Sequence, residues 1–214
     1  MQEKMNIYLR PTMWISRLAI VFGMLFVAMG KSQARYFDTV VIDPGHGGSD
    51  PGAYRHSVRE KDLTLKVAKK LRIQLKARGI NVVMTRSTDK KLSLEQRAAI
   101  ANKYKNAIFV SIHFNAAEKG LEYVKGVETF YASQEGRKMA SKVQGKMLKT
   151  LGVRDRKVKD KDFAVLEKTR CPAILVECGF ISNYYERKRC SRSWYQSLCA
   201  SSIAHGLLEY RRLR

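Results

Sequence analysis

The chain has 214 residues, 45% hydrophobic and 28% charged, which gives one domain of ordinary size a core to bury and excludes wholesale disorder. Lys and Arg number 41 against 19 Asp and Glu, a formal net charge of +22. That excess favours an anionic partner: nucleic acid, a membrane surface or an acidic polymer.

Residues 1–34 read as an export signal. Lys4, Arg10 and Arg17 precede an apolar run from Leu18 to Met29, shorter than the about 20 residues of a bilayer span. Ser32 and Ala34 then place small residues where a signal peptidase needs them. Left uncleaved, the same segment would act as a membrane anchor, the one membrane attachment the sequence offers. Cleavage removes four basic and one acidic residue and lowers the net charge from +22 to +19. Residues 35–214 then form a single domain in an exported protein of the periplasm or cell envelope.

Within that domain, strand-like and helix-like stretches alternate. Thr39–Ile42 is a β-branched run that ends in the turn Asp43-Pro44-Gly45. From about Lys61 to Arg78, Leu65, Ala68, Leu71 and Leu75 recur at helical spacing, and Gly79 is a stop. Asn81–Met84 reads as a second strand. Ser93 and Gln96 have capping-box spacing for a helix running to about Lys103. Ala107–Ile112 hardly alternates, as a strand covered on both faces should not. Gly126–Tyr131 is a strand, Glu135–Leu151 a helix, Ala173–Val176 the last strand and Ser193–Tyr210 the final helix. The alternation predicts a single α/β domain, with a mainly parallel mixed sheet covered by helices on both faces.

Two histidines follow strand-like segments, His46 after the first and His113 after the central one. Ligands bind at the carboxyl ends of strands in open α/β sheets, so both can face one crevice. A catalytic zinc takes three protein ligands and keeps one position open. Glu60, before the long helix, supplies a third ligand; alone it would equally serve as a carboxylate at a helix N-terminus, just as a single histidine is commonly structural. Glu177 ends an apolar strand, where an unpaired carboxylate is costly. Beside a metal site it has the chemistry of a general base.

Seven segments, in order, carry a family resemblance: residues 41–48 (VIDPGHGG), 60–63 (EKDL), 85–89 (TRSTD), 97–102 (RAAIAN), 111–116 (SIHFNA), 126–130 (GVETF) and 175–183 (LVECGFISN). They closely resemble those of the N-acetylmuramoyl-L-alanine amidases of the amidase-3 type. The resemblance implies zinc-dependent hydrolysis of the amide between the lactyl group of N-acetylmuramic acid and L-alanine in peptidoglycan. By motif position it implies zinc ligands His46, Glu60 and His113, with Glu177 catalytic and Asn115 supporting. Some periplasmic members carry an inhibitory helix in an insertion; the stretch between Tyr131 and Cys171 is too short to add one. No wall-binding module is expected.

Two other readings remain: a zinc peptidase cutting the peptide stem, and a non-catalytic basic protein binding the envelope. The export signal and the scarcity of aromatics in the basic runs argue against nucleic acid. The basic surface, including the run at residues 154–159, suits anionic envelope polymers, and a protein activator is left unspecified. His56, His205 and Glu128 are expected to be structural or solvated. Cys171, Cys178, Cys190 and Cys199 can be either bridged or free, and no CxxC pair marks a cysteine metal site.

Overall fold

The computed structural model describes residues 37–212, which belong to one compact unit, Tyr36–Arg214. The expected export segment, residues 1–34, lies outside the described residues. Six strands form the main sheet: β1 (Thr39–Pro44), β4 (Asn81–Met84), β5 (Ala107–Asn115), β6 (Val127–Tyr131), β7 (Asp155–Asp160) and β8 (Ala173–Phe180). Their order is β4-β1-β5-β8-β6-β7. The first four run parallel, and β6 turns antiparallel against β8 with β7 parallel to it. Two short strands, β2 (Tyr54–Arg55) and β3 (Val58–Arg59), make a separate hairpin.

Side-chain alternation along the strands divides the interior into two layers. Val40, Ile42, Ile108, Val110, Ile112, Ile174 and Val176 point into the larger layer. Helices α1 (Glu60–Lys76), α3 (Gln134–Leu151) and α6 (Ser193–Arg211) cover it, with lengths of 17, 18 and 19 residues. Val41, Phe109, Leu175 and Phe130 point the other way. Among the described residues that face is covered by α2 (Leu94–Ala101) and α4 (Ala164–Glu167), of 8 and 4 residues. A last short helix, α5 (Tyr184–Cys190), follows β8.

This asymmetry positions the site. Continuing the alternation past Val41, Phe109 and Leu175 puts Asp43, Ser111, His113 and Glu177 on the thinly covered face, at the carboxyl ends of β1, β5 and β8.

The expected elements are present with shifted bounds. β5 runs three residues further than Ile112 and β8 four further than Val176, so His113 lies within its strand rather than after it, and Glu177 lies inside β8 rather than at its end. The Ser93 capping box forms with both of its hydrogen bonds. β7, the hairpin and α5 carry no apolar periodicity in the sequence. All four cysteines are free thiols, with Cys178, Cys190 and Cys199 buried in the larger layer. Among the described residues no helix is long and apolar enough to cross a membrane.

Candidate metal centre and its carboxylate

His46 follows β1 in a loop that reverses sharply. Gly47 and Asp50 bond to each other through both backbone pairs, and His46 itself sits at φ 59°, a left-handed conformation that costs a non-glycine residue about 1–3 kcal/mol. Three buried cations hold the loop by its carbonyls. Arg86 donates to Pro44 O and Gly45 O at 3.0 and 2.9 Å. Arg97 donates to Pro44 O and His46 O, both at 2.8 Å, and Lys61 to Gly48 O at 2.7 Å. Charge-assisted bonds of this kind are the strong ones, so the strained loop has one geometry.

Two glycines allow the close approach. A side chain at Gly45 would collide with the His113 ring, and one at Gly52 would lie 2.6 Å from both Glu60 Oε2 and His46 Cδ2.

Glu60 is the first residue of α1 and is held from both sides. Ala53 N–H donates to Oε2 at 2.8 Å and Phe114 N–H to Oε1 at 3.0 Å. Its oxygens also meet the two imidazoles, His46 Nε2 at 3.1 Å and His113 Nδ1 at 2.9 Å. The ring centroids of the histidines are 5.0 Å apart. One ligand atom from each of His46, Glu60 and His113 falls within 4.8 Å of the others, so the three expected ligands converge.

Each imidazole is tethered by one nitrogen and offers the other. His46 Nδ1 is 2.8 Å from Asp50 Oδ2, leaving Nε2 toward Glu60. His113 Nε2 is 3.1 Å from Ser111 Oγ. Ser111 donates its single hydroxyl hydrogen to Asp43 Oδ2 at 2.8 Å, so its lone pairs face His113 and the proton resides on Nε2. Asp43 is in turn fixed by Arg97 at 2.7 Å and Thr85 at 2.6 Å. Outer partners of this type set the tautomer and aim of metal-binding histidines.

Electrostatics agree with a cation site. Burial alone would raise the Glu60 carboxyl, but hydrogen bonds from His113 and His46 outweigh it and hold Glu60 far below the usual carboxylate range. Burial would lower His46, yet Glu60 and Asp50 raise it above its ordinary value. A buried carboxylate flanked by two imidazole nitrogens is a donor set that a divalent cation can occupy.

Glu177 stands beside His113 in register on β8, with Glu128 of β6 on its other side. Its Oε2 is buried and has no hydrogen-bond partner. Burial, then the charges of Glu60 and Glu128, push its carboxyl well above the ordinary value near 4.5. Glu128 is itself fully engaged, accepting from Asn115 at 2.8 Å, Arg156 at 3.2 Å and Lys159. The expectation of a structural cross-strand carboxylate therefore fits it, with the added effect on Glu177. The Asn115 side chain donates to Glu128 and accepts from the Ala116 N–H. His56 is exposed at the hairpin, and His205 is exposed on α6 beside Arg78, outside the cluster. Sequence patterns assign no role to Asp43, Ser111, Arg86, Arg97 or Lys61. For the first two, the signal is a polar residue inside the apolar strands β1 and β5.

Residues 40–209 match the family described as N-acetylmuramoyl-L-alanine amidase. The protein YqiI of Bacillus subtilis is 38% identical over 176 residues, 80% of this chain and 84% of YqiI. N-acetylmuramoyl-L-alanine amidase LytC of the same organism is 34% identical over 82% of this chain, which spans 36% of LytC. Among solved structures, an N-acetylmuramoyl-L-alanine amidase from Clostridium difficile 630 superposes with a TM-score of 0.78 at 39% identity, covering 82% of this chain and 97% of that one.

Proposed function

Since the chain belongs to the N-acetylmuramoyl-L-alanine amidase family, we propose that it hydrolyses the amide between the lactyl group of N-acetylmuramic acid and L-alanine in peptidoglycan, with zinc held by His46, Glu60 and His113. The observation that carries this reading is the pairing of two tethered imidazoles and a carboxylate with a partnerless buried oxygen on Glu177 next to them. Three protein ligands with a position left open is the donor set of a catalytic zinc, and a buried carboxylate oxygen without a partner, in register beside one of those ligands, suits a water-activating base.

Held by His46, Glu60 and His113, a zinc ion would supply Lewis acidity toward a water and the amide carbonyl, and its positive charge would favour the ionised form of Glu177. Glu177 then takes one proton from the attacking water as its oxygen bonds to the lactyl carbonyl carbon. When the carbon–nitrogen bond breaks, Glu177 returns that proton to the alanine nitrogen, which leaves as a free amine. Asp50 and Ser111 keep the imidazoles aimed throughout, and Glu128 stays bound to its two cations and Asn115.

The proposed setting is the periplasm or cell envelope. The basic start and apolar run of residues 1–34 support export, and the charge of +22, or +19 after cleavage, supports retention near anionic wall or membrane polymers. The test is product analysis by mass of muropeptides treated with the zinc-loaded protein and with its Glu177→Gln variant. Wild type should release intact stems with a free alanine amine, and the variant should bind zinc while turning over about 10²–10⁴-fold more slowly. Fragments cut within the stem would replace this reading with a peptidase.

A further inference from the structure

Between the β2–β3 hairpin and α5 lies a groove of 450 Å³, walled by His56 and Val58 on one side and by Tyr184, Arg187, Lys188 and Arg192 on the other. Both walls are tied to the reacting groups. The hairpin is anchored through Ala53, which exchanges hydrogen bonds with Glu60: its N–H with Oε2 at 2.8 Å, its carbonyl with the Glu60 N–H at 2.9 Å. α5 begins just after β8, where Ile181 N–H donates to Asn115 O at 2.8 Å. The groove therefore opens at the same end of the sheet as the histidine cluster.

Its charge is one-sided. No acidic residue lines it. Arg187 is spent internally, donating to the carbonyls of Ile181 and Ser182 at 2.9 and 3.2 Å. Lys188 and Arg192 are exposed and have no carboxylate partner among the described residues, and the Lys188 ammonium is 4.5 Å from the centre of the half-exposed Tyr184 ring. By contrast, four cations around the cluster are committed: Arg97 to Asp43, Lys61 to Asp89, Arg156 and Lys159 to Glu128. Two free cations beside an aromatic ring and a valine suit a short aliphatic segment that carries an acid group.

This inference rests on the amidase reading. In that substrate the lactyl carboxyl is consumed in the scissile amide and the N-acetylated sugars are uncharged, so acid groups near the bond belong to the peptide. We infer that the groove is the subsite for the peptide side of the substrate: Lys188 and Arg192 hold a stem carboxylate while Tyr184 and Val58 pack against its carbon chain. The stem then runs toward α5, which fixes which side of the amide faces away from it.

The experiment uses the full, zinc-loaded chain and a double variant, Lys188→Gln with Arg192→Gln, at two exposed positions. Substrates are a muropeptide with free stem carboxylates and the same molecule with them amidated. On the free acid the variant should show a KM raised about tenfold at unchanged kcat. On the amidated substrate wild type and variant should share that higher KM. An unchanged KM on the free acid, or an equal rise on both substrates, overturns the assignment. A second measurement needs no turnover: NMR titration of the Glu177→Gln protein, with and without the two changes, using a stem tripeptide and, separately, inorganic phosphate. Loss of tripeptide binding in the altered protein supports the subsite. Equal binding, or binding of phosphate in place of the peptide, overturns it. Should wild type cleave neither muropeptide, the amidase reading fails while the titration still decides the groove.

Discussion

The two sides of the candidate centre are built on opposite principles. On the β1–β5 side every polar group is paired: Asp43 with Arg97, Thr85 and Ser111, Ser111 with His113, and the His46 loop with three cations. On the β8 side Glu177 is buried with one oxygen unpaired and a second carboxylate beside it. The paired side holds geometry against strain. The open side holds a charge problem in reserve, solvable only by something that arrives. Paired and unpaired polar groups are thus divided between different strands.

The most severe way to break this contrast is to remove a tethered ligand. In His113→Ala, bound zinc per chain measured by elemental analysis should fall to background, and turnover with it. Retention of stoichiometric zinc would mean the cluster is not the metal site. A finer cut removes only the tether. Ser111→Ala leaves Asp43 with Arg97 and Thr85 but frees His113 Nε2, and zinc affinity by chelator competition should drop about 10–100-fold, with Ser111→Thr restoring it. No change in affinity would reduce Ser111 to packing.

The smallest effect probes the open side in the metal-free protein. Because the folded Glu177 carboxyl lies above its ordinary value near 4.5, folding retains a proton that the unfolded chain releases once pH exceeds that value, and stability is lost as pH rises. Glu177→Gln should therefore raise the unfolding midpoint of the metal-free protein at pH 7.5 and leave it almost unchanged at pH 4, where both states are protonated. A loss of stability at pH 7.5 would show that Glu177 is satisfied after all.

Much of this architecture is legible in the amino-acid sequence. The apolar runs through Val40–Ile42, Ile108–Ile112 and Ile174–Val176 mark buried parallel strands, and the histidines and glutamates near their ends mark the face they share. What stays hidden has physical causes. β7 is a strand without an apolar stripe because at the margin of the sheet none of its residues is fully buried, so charged side chains are tolerated on both faces. The two-residue strands of the hairpin are too short to show a period. The Asp43–Ser111–His113 chain joins residues 68 and 2 positions apart through hydrogen bonds alone, a relation that hydrophobic spacing does not encode. The groove beside α5 arises from chain segments brought together by the sheet, so it has no linear motif.

The edge strand has one more consequence. β7 reads Asp-Arg-Lys-Val-Lys-Asp, with a single apolar residue among its 6 positions, and it terminates the sheet on that side. A strand approaching from another molecule would have to desolvate those charges before making its first backbone bond. The charges of β7, with Lys157 the most exposed, therefore make this edge a poor template for strand addition by a second molecule.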